Sequence, residues 1–528
     1  MENLCHASTF SDTIRTQIAH QLGAAPLLLP LLESLRVRNI INDFCPNRSD
    51  VDTGTMAIGM ILNRLMAPKP LYRIEEWMQE TAIPHLLSSS ADKFNDDRLG
   101  RALEEMYPHL RAMWTQIITV AVEEFNLDLS LLAYDLTSFY FEGEYENSES
   151  ITYGYSRDKK TDKKQLEVAV NVSLPDGIPI TYELLDGNVA DINTVIDNMQ
   201  RLKELVESMK KDDDILVVGD RILLTDATII SYHRNRLFYL GGLATSNKVE
   251  ELILSVEEEE LIASPLDYQP IRHQKASEDN RYYGVLREIT FEHNGISITD
   301  WATVIHSSGK ARLDEQYRQK SLEKLLDKLA KINQKLNTRR YKKAQYVLSQ
   351  IEKAQKGNPA KGLVDVILTG KDGQLVLNIS INEQKIQEAK RLDGKYVIAS
   401  NRRLNPNEML ILLKQRDCAE KRISVLKGPV RIRPIFLQND DRIASLVFII
   451  MIALLVYCLI EMRLRQAKMK VSGKRVLENF AKLAFIESIF NDGSRAFFRS
   501  TETPFQRQVL FIFGYPSLQN FSAEKVPI

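Results

Sequence analysis

The sequence predicts an α/β protein: a helical N-terminal region, then a core divided by a long insertion that begins β-rich and becomes helical and charged. Three observations carry this. Three β-type runs, at 131–140, 166–174 and 178–184, follow one another, with Pro175-Asp176-Gly177 as a turn between the last two. A helical stretch at 191–209 then leads to the short, nearly all-apolar strand 215–219, the pattern of a strand buried in a parallel or mixed sheet. A charged stretch from about 245 to 393 separates this from the next core-type strand at 396–400.

Taken in order, residues 1–128 read as helical. Apolar residues recur at helical spacing along 57–66, and Pro68 and Pro70 end that run. A second helix begins at Asp96 and runs to about Tyr107, and a third runs from His109 through Trp114 to Phe125. Short helices carrying interspersed Arg and Lys suit a DNA-binding module, and equally a capping or oligomerisation domain. Residues 129–244 form the first part of the core: the three strands, the helix whose start at 188–191 offers capping groups, the strand 215–219, a helix over 227–236 and a strand over 237–244. The insertion, 245–393, opens on the acidic run 250–260, continues with β-type stretches at 282–291 and 296–305, and becomes a long charged helical region over 311–355. There Leu322, Leu325, Leu326 and Leu329 form an apolar stripe, and a solvated helical hairpin is the favoured reading of the charge, ahead of phosphate contact. Turns fall at 357–359 and 370–373; the latter lacks the phosphate-loop form. Residues 394–466 resume the core with the strand 396–400, one helix from Asn405 through Glu420 to Lys427, and the apolar helix 443–460. Residues 467–528 are a tail without assignable chemistry.

With 528 residues, 44% of them hydrophobic, the chain is long enough for several domains and can bury a sizeable core. Its net charge of −1 excludes a polycation, so contact with nucleic acid must come from local patches. Cys5, Cys45, Cys418 and Cys458 form no CxxC pair and no disulfide framework, which fits a reducing compartment. The histidines are scattered without an HxxxH, which argues against zinc. No basic-then-apolar leader is present, so a cytoplasmic, nucleoid-associated location is expected. The uncharged stretch 443–460 sits at the short edge of the ~20 residues a membrane span needs, and between charged flanks it reads as a buried core helix rather than an anchor.

The chemistry converges on three acids. Asp135 lies within the first core strand, Asp220 closes Val217-Val218-Gly219-Asp220, and Glu420 lies on a helix between cations. Strand ends and an adjacent helix can bring such groups to one sheet edge. Carboxylates there supply the hard oxygen ligands Mg²⁺ takes, and two such ions about 4 Å apart cut and join phosphodiesters. At about 100° per residue, Arg416, Glu420 and Lys427 project from one helix face, although Arg416–Glu420 is also an ordinary i, i+4 ion pair. Between 401 and 434 stand nine Lys or Arg (402, 403, 414, 416, 421, 422, 427, 431, 433) against three acids, a patch suited to a phosphate backbone.

These residues fall into a recognisable order. Arg416, Glu420 and Lys427 match the last three positions of a Tyr-x2-Arg-x3-Glu-x6-Lys signature, with Leu413 where the tyrosine stands. Tyr134-Asp135-Leu136-Thr137-Ser138 and Val217-Val218-Gly219-Asp220-Arg221 match the settings of the first two acids. Further likeness lies in 154–158, in Lys164-Gln165-Leu166, in Gly187-Asn188 with Asp191, in Asn63-Arg64-Leu65 and in 96–99. The chain thus resembles the DDE transposases of bacterial insertion sequences, of the insertion-sequence-four superfamily, over roughly 40–465. The resemblance implies a ribonuclease-H-like catalytic core, with Asp135, Asp220 and Glu420 as catalytic residues and metal ligands and Arg416 and Lys427 as DNA-phosphate contacts. It implies two Mg²⁺ ions, with Mn²⁺ able to substitute, and double-stranded DNA as partner, both transposon ends and target. It leaves a DNA-hairpin pathway and other cleavage pathways open, and implies a homodimer or larger assembly in the synaptic complex, away from membranes. A decayed or repurposed transposase that binds DNA without cutting it is the competing expectation, and a protein anchored in a membrane by 443–460 is another.

Overall fold

The computed structural model describes residues 14–516 apart from 142–143, 147, 155–161, 189–190, 210–213, 222–223, 270–279, 431–435 and 492–493. In chain order it opens with a strand, β1 (Ile14–Gln21), and helices α1 (Ala25–Ser34), α2 (Val37–Phe44), α3 (Thr53–Met66), α4 (Ile74–Gln79), α5 (Asp96–Met106) and α6 (Leu110–Phe125). Strands β2 (Leu131–Tyr140), β3 (Gln165–Ser173) and β4 (Pro179–Asp186), helix α7 (Asp191–Ser208) and strand β5 (Leu216–Gly219) follow. Next come α8 (Asp226–Arg234), β6 (Phe238–Gly242), α9 (Asn247–Leu254), α10 (Glu258–Ile262), β7 (Pro265–Leu266), β8 (Tyr282–His293) and β9 (Ile296–Ser307). Then α11 (Ser308–Gln334), α12 (Ala344–Gln355), β10 (Val364–Thr369), β11 (Val376–Ile381), α13 (Glu383–Leu392), β12 (Lys395–Ser400) and α14 (Pro406–Gln415). The chain closes with α15 (Asp417–Lys427), α16 (Asp440–Gln466), α17 (Gly473–Phe480), β13 (Ala484–Phe490), β14 (Arg495–Arg499) and α18 (Pro504–Ile512). Contacts divide it into two units, residues 1–218 with 415–528, and residues 219–414.

In the first unit, β2, β3 and β4 form an antiparallel meander, and β5 runs parallel to β2 on its other side, pairing Leu131–Leu216 through Ala133–Val218. The expected all-apolar strand after a crossover helix is therefore present and parallel to the first. Helices cover both faces. Tyr134 on β2 sends its hydroxyl to Thr194 Oγ1 of α7 at 3.0 Å, so that face meets α7. On the opposite face Tyr182 of β4 meets Trp114 of α6 edge-on, ring centroids 4.9 Å apart, and Trp114 also meets Phe448 of α16.

Helix α16 is the centre of this unit. It passes the length and apolarity test for a membrane span, yet 94% of its apolar window is enclosed by the protein. A helix apolar all round is stable only when every side is covered, and α1, α3, α5, α6, α15, α17, α18 and β4 supply that cover. Asn439 caps its start, its side chain accepting from the Arg442 amide at 2.9 Å.

The N-terminal region is not wholly helical as expected. β1 pairs antiparallel with β13, from Ile14–Phe490 to Gln21–Ala484, and β14 joins as a third strand. The tail is thus structurally tied to the first residues of the described chain.

In the second unit the sheet order is β6-β12-β9-β8-β7. The stretches at 282–291 and 296–305, read from sequence as part of the insertion, are the long hairpin β8–β9, and β9 pairs along the whole of β12. Asn294 and Gly295, both with positive φ (50° and 77°), make its two-residue turn. The charged hairpin does form: α11 and α12 pack with the β10–β11 hairpin around a small core of their own, in which Leu322, Leu325 and Leu329 are buried and Leu326 partly so. Leu325 is fully buried there, so Leu325→Ala is expected to cost about 2–5 kcal/mol of this module's stability; hydrogen exchange of α11 and α12 amides, with β12 amides as the unaffected reference, is the measurement.

Candidate functional site

The anchor of the site is the turn between β3 and β4. Gly177 there has φ +69°, and a Cβ on it would meet Arg422 Nε at 2.5 Å and Cys418 Sγ at 2.6 Å. Glycine is required both by the backbone and by the close approach of α15. The turn grips that helix: Cys418 Sγ donates to Pro175 O at 3.2 Å and Arg422 Nη2 to Asp176 O at 2.8 Å. Arg422 also pairs with Glu461 of α16 at 2.5 Å, the two side chains 6% and 15% exposed. Arg465 of α16 reaches Asp176 Oδ1 at 2.8 Å. Arg422, counted from sequence among the phosphate-facing cations, is therefore a buried structural cation. Burial would raise the Glu461 carboxyl, but the Arg422 charge and hydrogen bond, the Gly473 amide and Arg465 outweigh it and hold Glu461 below the ordinary carboxylate value.

So held, α15 packs along β2 and β3. Its buried stripe is Ala419, Arg422 and Leu426. At about 100° per residue, Arg416, Glu420 and Lys427 lie on a flank roughly 110° from that stripe. Lys427 Nζ stands 5.7 Å from the Phe139 ring centroid on β2. Asp135 is four residues before Phe139 in a strand whose register with β3 is unbroken, so both project from the α15 side. Asp135 is 8% exposed, sits opposite Val170, and accepts the Leu136 amide at 3.0 Å.

Glu420 has a 58% exposed side chain and accepts from Arg416 Nη2 at 3.1 Å. The single helix expected from Asn405 to Lys427 is two. Asn405 and Glu408 make a reciprocal cap at the start of α14, each bond 2.9 Å. The chain turns at Arg416, which precedes α15 with φ −53° and ψ −27°. Because that backbone stays helical, the i, i+4 relation of Arg416 to Glu420 survives the break.

Asp220 belongs to the second unit and is half-buried; it accepts the Arg221 amide at 2.7 Å, the same local pattern as Asp135. Asp135, Arg416, Glu420 and Lys427 all belong to the first unit. The basic patch over 401–434 is also divided: Arg402, Arg403 and Lys414 lie in the second unit, with Arg403 over the Trp301 ring at 4.6 Å, and Arg431 and Arg433 fall outside the described residues.

Two other stretches singled out in the sequence meet in the first unit. Gln165 Nε2 donates to Gly187 O at 2.8 Å. A Cβ on Gly154 would lie 1.7 Å from Gly187 O, and one on Gly187 2.1 Å from Gln165 O. Residues 155–158 and 189–190 lie outside the described residues, as does the Asp191 side chain. Phe139 and Glu461, which help position α15, go unmarked in the sequence, where each reads as an ordinary strand or helix residue, and Arg422 is marked there only as one cation of the patch.

The candidate donors are all carboxylate oxygens, the set a hard divalent cation takes. Among the described residues no three His, Cys, Asp or Glu side chains stand together as a metal cluster. A cleft of about 480 Å³ opens elsewhere in the first unit, against edge strand β4 and between Trp114, Tyr182 and the Arg201–Glu183 ion pair; it contains none of these acids.

Against known proteins, a domain of unknown function, DUF4277, matches residues 18–119. No curated protein matches the chain. Among solved structures the chain is similar to piggyBac transposase in a synaptic complex with hairpin DNA, at 9% identity and a TM-score of 0.42, over 88% of this chain and 81% of that one. It is also similar to the Mos1 transposase paired-end complex with the left transposon end, at 11% identity and a TM-score of 0.15, over 36% of this chain and 57% of that one.

Proposed function

We propose that the protein is a DNA transposase of the DDE type, with a ribonuclease-H-like core, that cuts phosphodiesters at the ends of its own element and joins them to target DNA. The observation that carries this reading is the placement of α15 along the Asp135 face of β2, with Lys427 over Phe139. It brings the helix bearing Glu420 to the strand bearing Asp135, though the two are far apart in sequence. The strand plan supports it as well: a meander followed by a strand parallel to its first member, with Asp135 and Asp220 each two residues beyond the paired residues Ala133 and Val218.

Asp135, Asp220 and Glu420 would hold Mg²⁺, which when bound supplies Lewis acidity at the scissile phosphate. Arg416 orients the Glu420 carboxylate through its hydrogen bond and leaves it open to solvent on its other side. Lys427, its ammonium over the Phe139 ring, would offer a positive charge to a phosphate lying along the helix flank. The helical region around α1–α6 is assigned to recognition of the terminal inverted repeats, and two copies of the chain would pair two ends.

The test is cleavage by the full chain, with Mg²⁺, of a DNA fragment carrying the inverted repeats that flank its gene. Cuts at the repeat ends that vanish with a chelator and with Glu420→Gln are expected. Lys427→Gln, which removes charge rather than a metal ligand, is expected to weaken end cleavage by about tenfold, in line with ~1.4 kcal/mol for one charge-assisted contact. A second reading, a DNA-binding protein that no longer cuts, is favoured by Leu413 in the signature's tyrosine position and by the lack of a three-carboxylate cluster among the described residues. Tight binding of the ends without any Mg²⁺- or Mn²⁺-dependent cut would decide for it.

A further inference from the structure

We infer that the outer face of α11, in the insertion, is a second DNA-contact surface that holds the phosphate backbone of duplex DNA without reading its sequence. The inference shares its polymer with the proposed function but none of its residues.

Lys320, Lys324, Lys328 and Lys331 recur along α11 at spacings of three and four, and Lys335, the residue just past its end, continues the row in helical backbone. On a helix these form one straight stripe of roughly 22 Å. All five are exposed. Their stripe lies roughly 135° from the buried one made by Leu322, Leu325 and Leu329, so it faces away from the module's core. No ion pair engages any of the five among the described residues, whereas Lys310 and Arg318, nearer the helix start, are paired with Asp314 and Asp393.

The stripe continues into the next turn. Asn337 and Arg339 take left-handed backbone (φ 60° and 40°), and Asn337 is tied to Leu375 by bonds of 2.9 and 2.7 Å. This fixes exposed Arg339, Arg340, Lys342 and Lys343 just past the helix end. From 320 to 343 there are nine Lys or Arg and two acids, in a chain whose net charge is −1. A helix that is merely solvated interleaves its signs, as α13 does with Glu383, Lys385, Glu388 and Lys390. Here five lysines share one rigid face, and the two acids, Glu323 and Asp327, lie along one edge of it.

The form of the face selects the partner. An amphipathic helix that lies on a membrane needs a broad free apolar side; Leu322, Leu325, Leu329 and Ile332 of α11 are spent in its own core, which leaves exposed Leu313 and Tyr317, ahead of the lysines. A straight row of point charges on a rigid support matches a straight, rigid polyanion. Duplex DNA, with one negative charge per about 1.7 Å of axis, is that partner.

The experiment measures binding of the full chain to a duplex of arbitrary sequence, in a chelator so that no strand is cut, over a range of salt concentrations. Lys324→Gln, Lys328→Gln, Lys331→Gln and Lys335→Gln combined are expected to weaken binding more than tenfold and to reduce the log–log salt slope by about 3.6, at about 0.9 per lost phosphate contact. The same four positions changed to Arg are expected to keep both affinity and slope. Lys353→Gln with Lys385→Gln and Lys390→Gln, on other faces of the module, are expected to leave both unchanged. An unaltered slope in the four-Gln variant overturns the inference, and so does tighter binding of the stripe to duplex RNA or to anionic phospholipid vesicles. Asp135→Asn separates the two readings. It is expected to keep the wild-type slope while losing cleavage. A chain that cuts DNA but whose slope ignores the stripe keeps the proposed function and loses this inference; a chain that shows the stripe's slope and never cuts does the reverse.

Discussion

Asp135→Asn is expected to lower Mg²⁺-dependent cleavage at element ends by about a thousandfold or more while leaving binding of those ends within a few-fold of the parent. The substitution keeps the side chain's shape in the middle of β2, where Asp135 stands opposite Val170, and an amide oxygen can still accept the Leu136 amide. What it removes is one negative charge at a position only 8% exposed. In the proposed site a divalent cation would lose a charged oxygen ligand there, and the catalytic contribution of such an ion is several kcal/mol, each 1.36 kcal/mol being about tenfold in rate. In the proposed function, binding of the ends would draw on other surfaces, so it is not expected to follow. Gel-resolved cleavage and a parallel binding assay on the same preparation make the comparison. Cleavage within tenfold of the parent would remove Asp135 from the proposed site.

Glu461→Ala is expected to cost about 3–5 kcal/mol, read as a drop in the denaturant midpoint at unchanged slope. Glu461 touches no proposed substrate; it matters through Arg422, whose side chain is only 6% exposed. Deleting the carboxylate leaves a guanidinium in the interior without its counter-charge. The Gly473 amide, which donates to Glu461 at 3.0 Å, loses its acceptor in the same step. Because Arg422 also ties α15 to Asp176, Glu420 is expected to lose its fixed position, and cleavage to fall with stability. Replacing both partners, Arg422→Met with Glu461→Leu, is expected to recover most of the stability. The pair also sets an acid limit. A carboxyl held below its ordinary 4.5 contributes stability in full above that value and loses it as pH falls through the lower folded value. The parent is therefore expected to weaken below about pH 4.5, and the double replacement to weaken less over the same range.

Much of the core is legible in the sequence because its information is local. The meander shows in β-type runs with a Pro-Asp-Gly turn, β5 in four buried apolar residues, and α16 in its unbroken apolar length. What escapes is information held elsewhere in the chain. β1 is mostly exposed and weakly patterned, and becomes a strand because β13 lies beside it. The hairpin β8–β9 carries an Asn-Gly turn that marks it as a hairpin, but nothing local marks its pairing with β12. At the candidate site, residue types and spacing point to Asp135, Asp220, Glu420, Arg416 and Lys427. They say nothing of Phe139 beneath Lys427, of Gly177 admitting α15, or of Glu461 neutralising Arg422. They also count Arg422 as a cation for DNA, since burial is not written in a single residue.

The pairing of β1 with β13 has a consequence in time. Gln17 and Ser488, whose side chains bond at 3.2 Å across that sheet, are 471 positions apart. At translation rates of 5–20 residues per second, roughly 25–95 s pass between the emergence of the first strand from the ribosome and that of its partner. The second unit is made within this interval, before β13 exists for β1 to pair with. Glu420 follows Asp135 by 285 positions, so the strand and the helix of the candidate site cannot meet until α15 has been made.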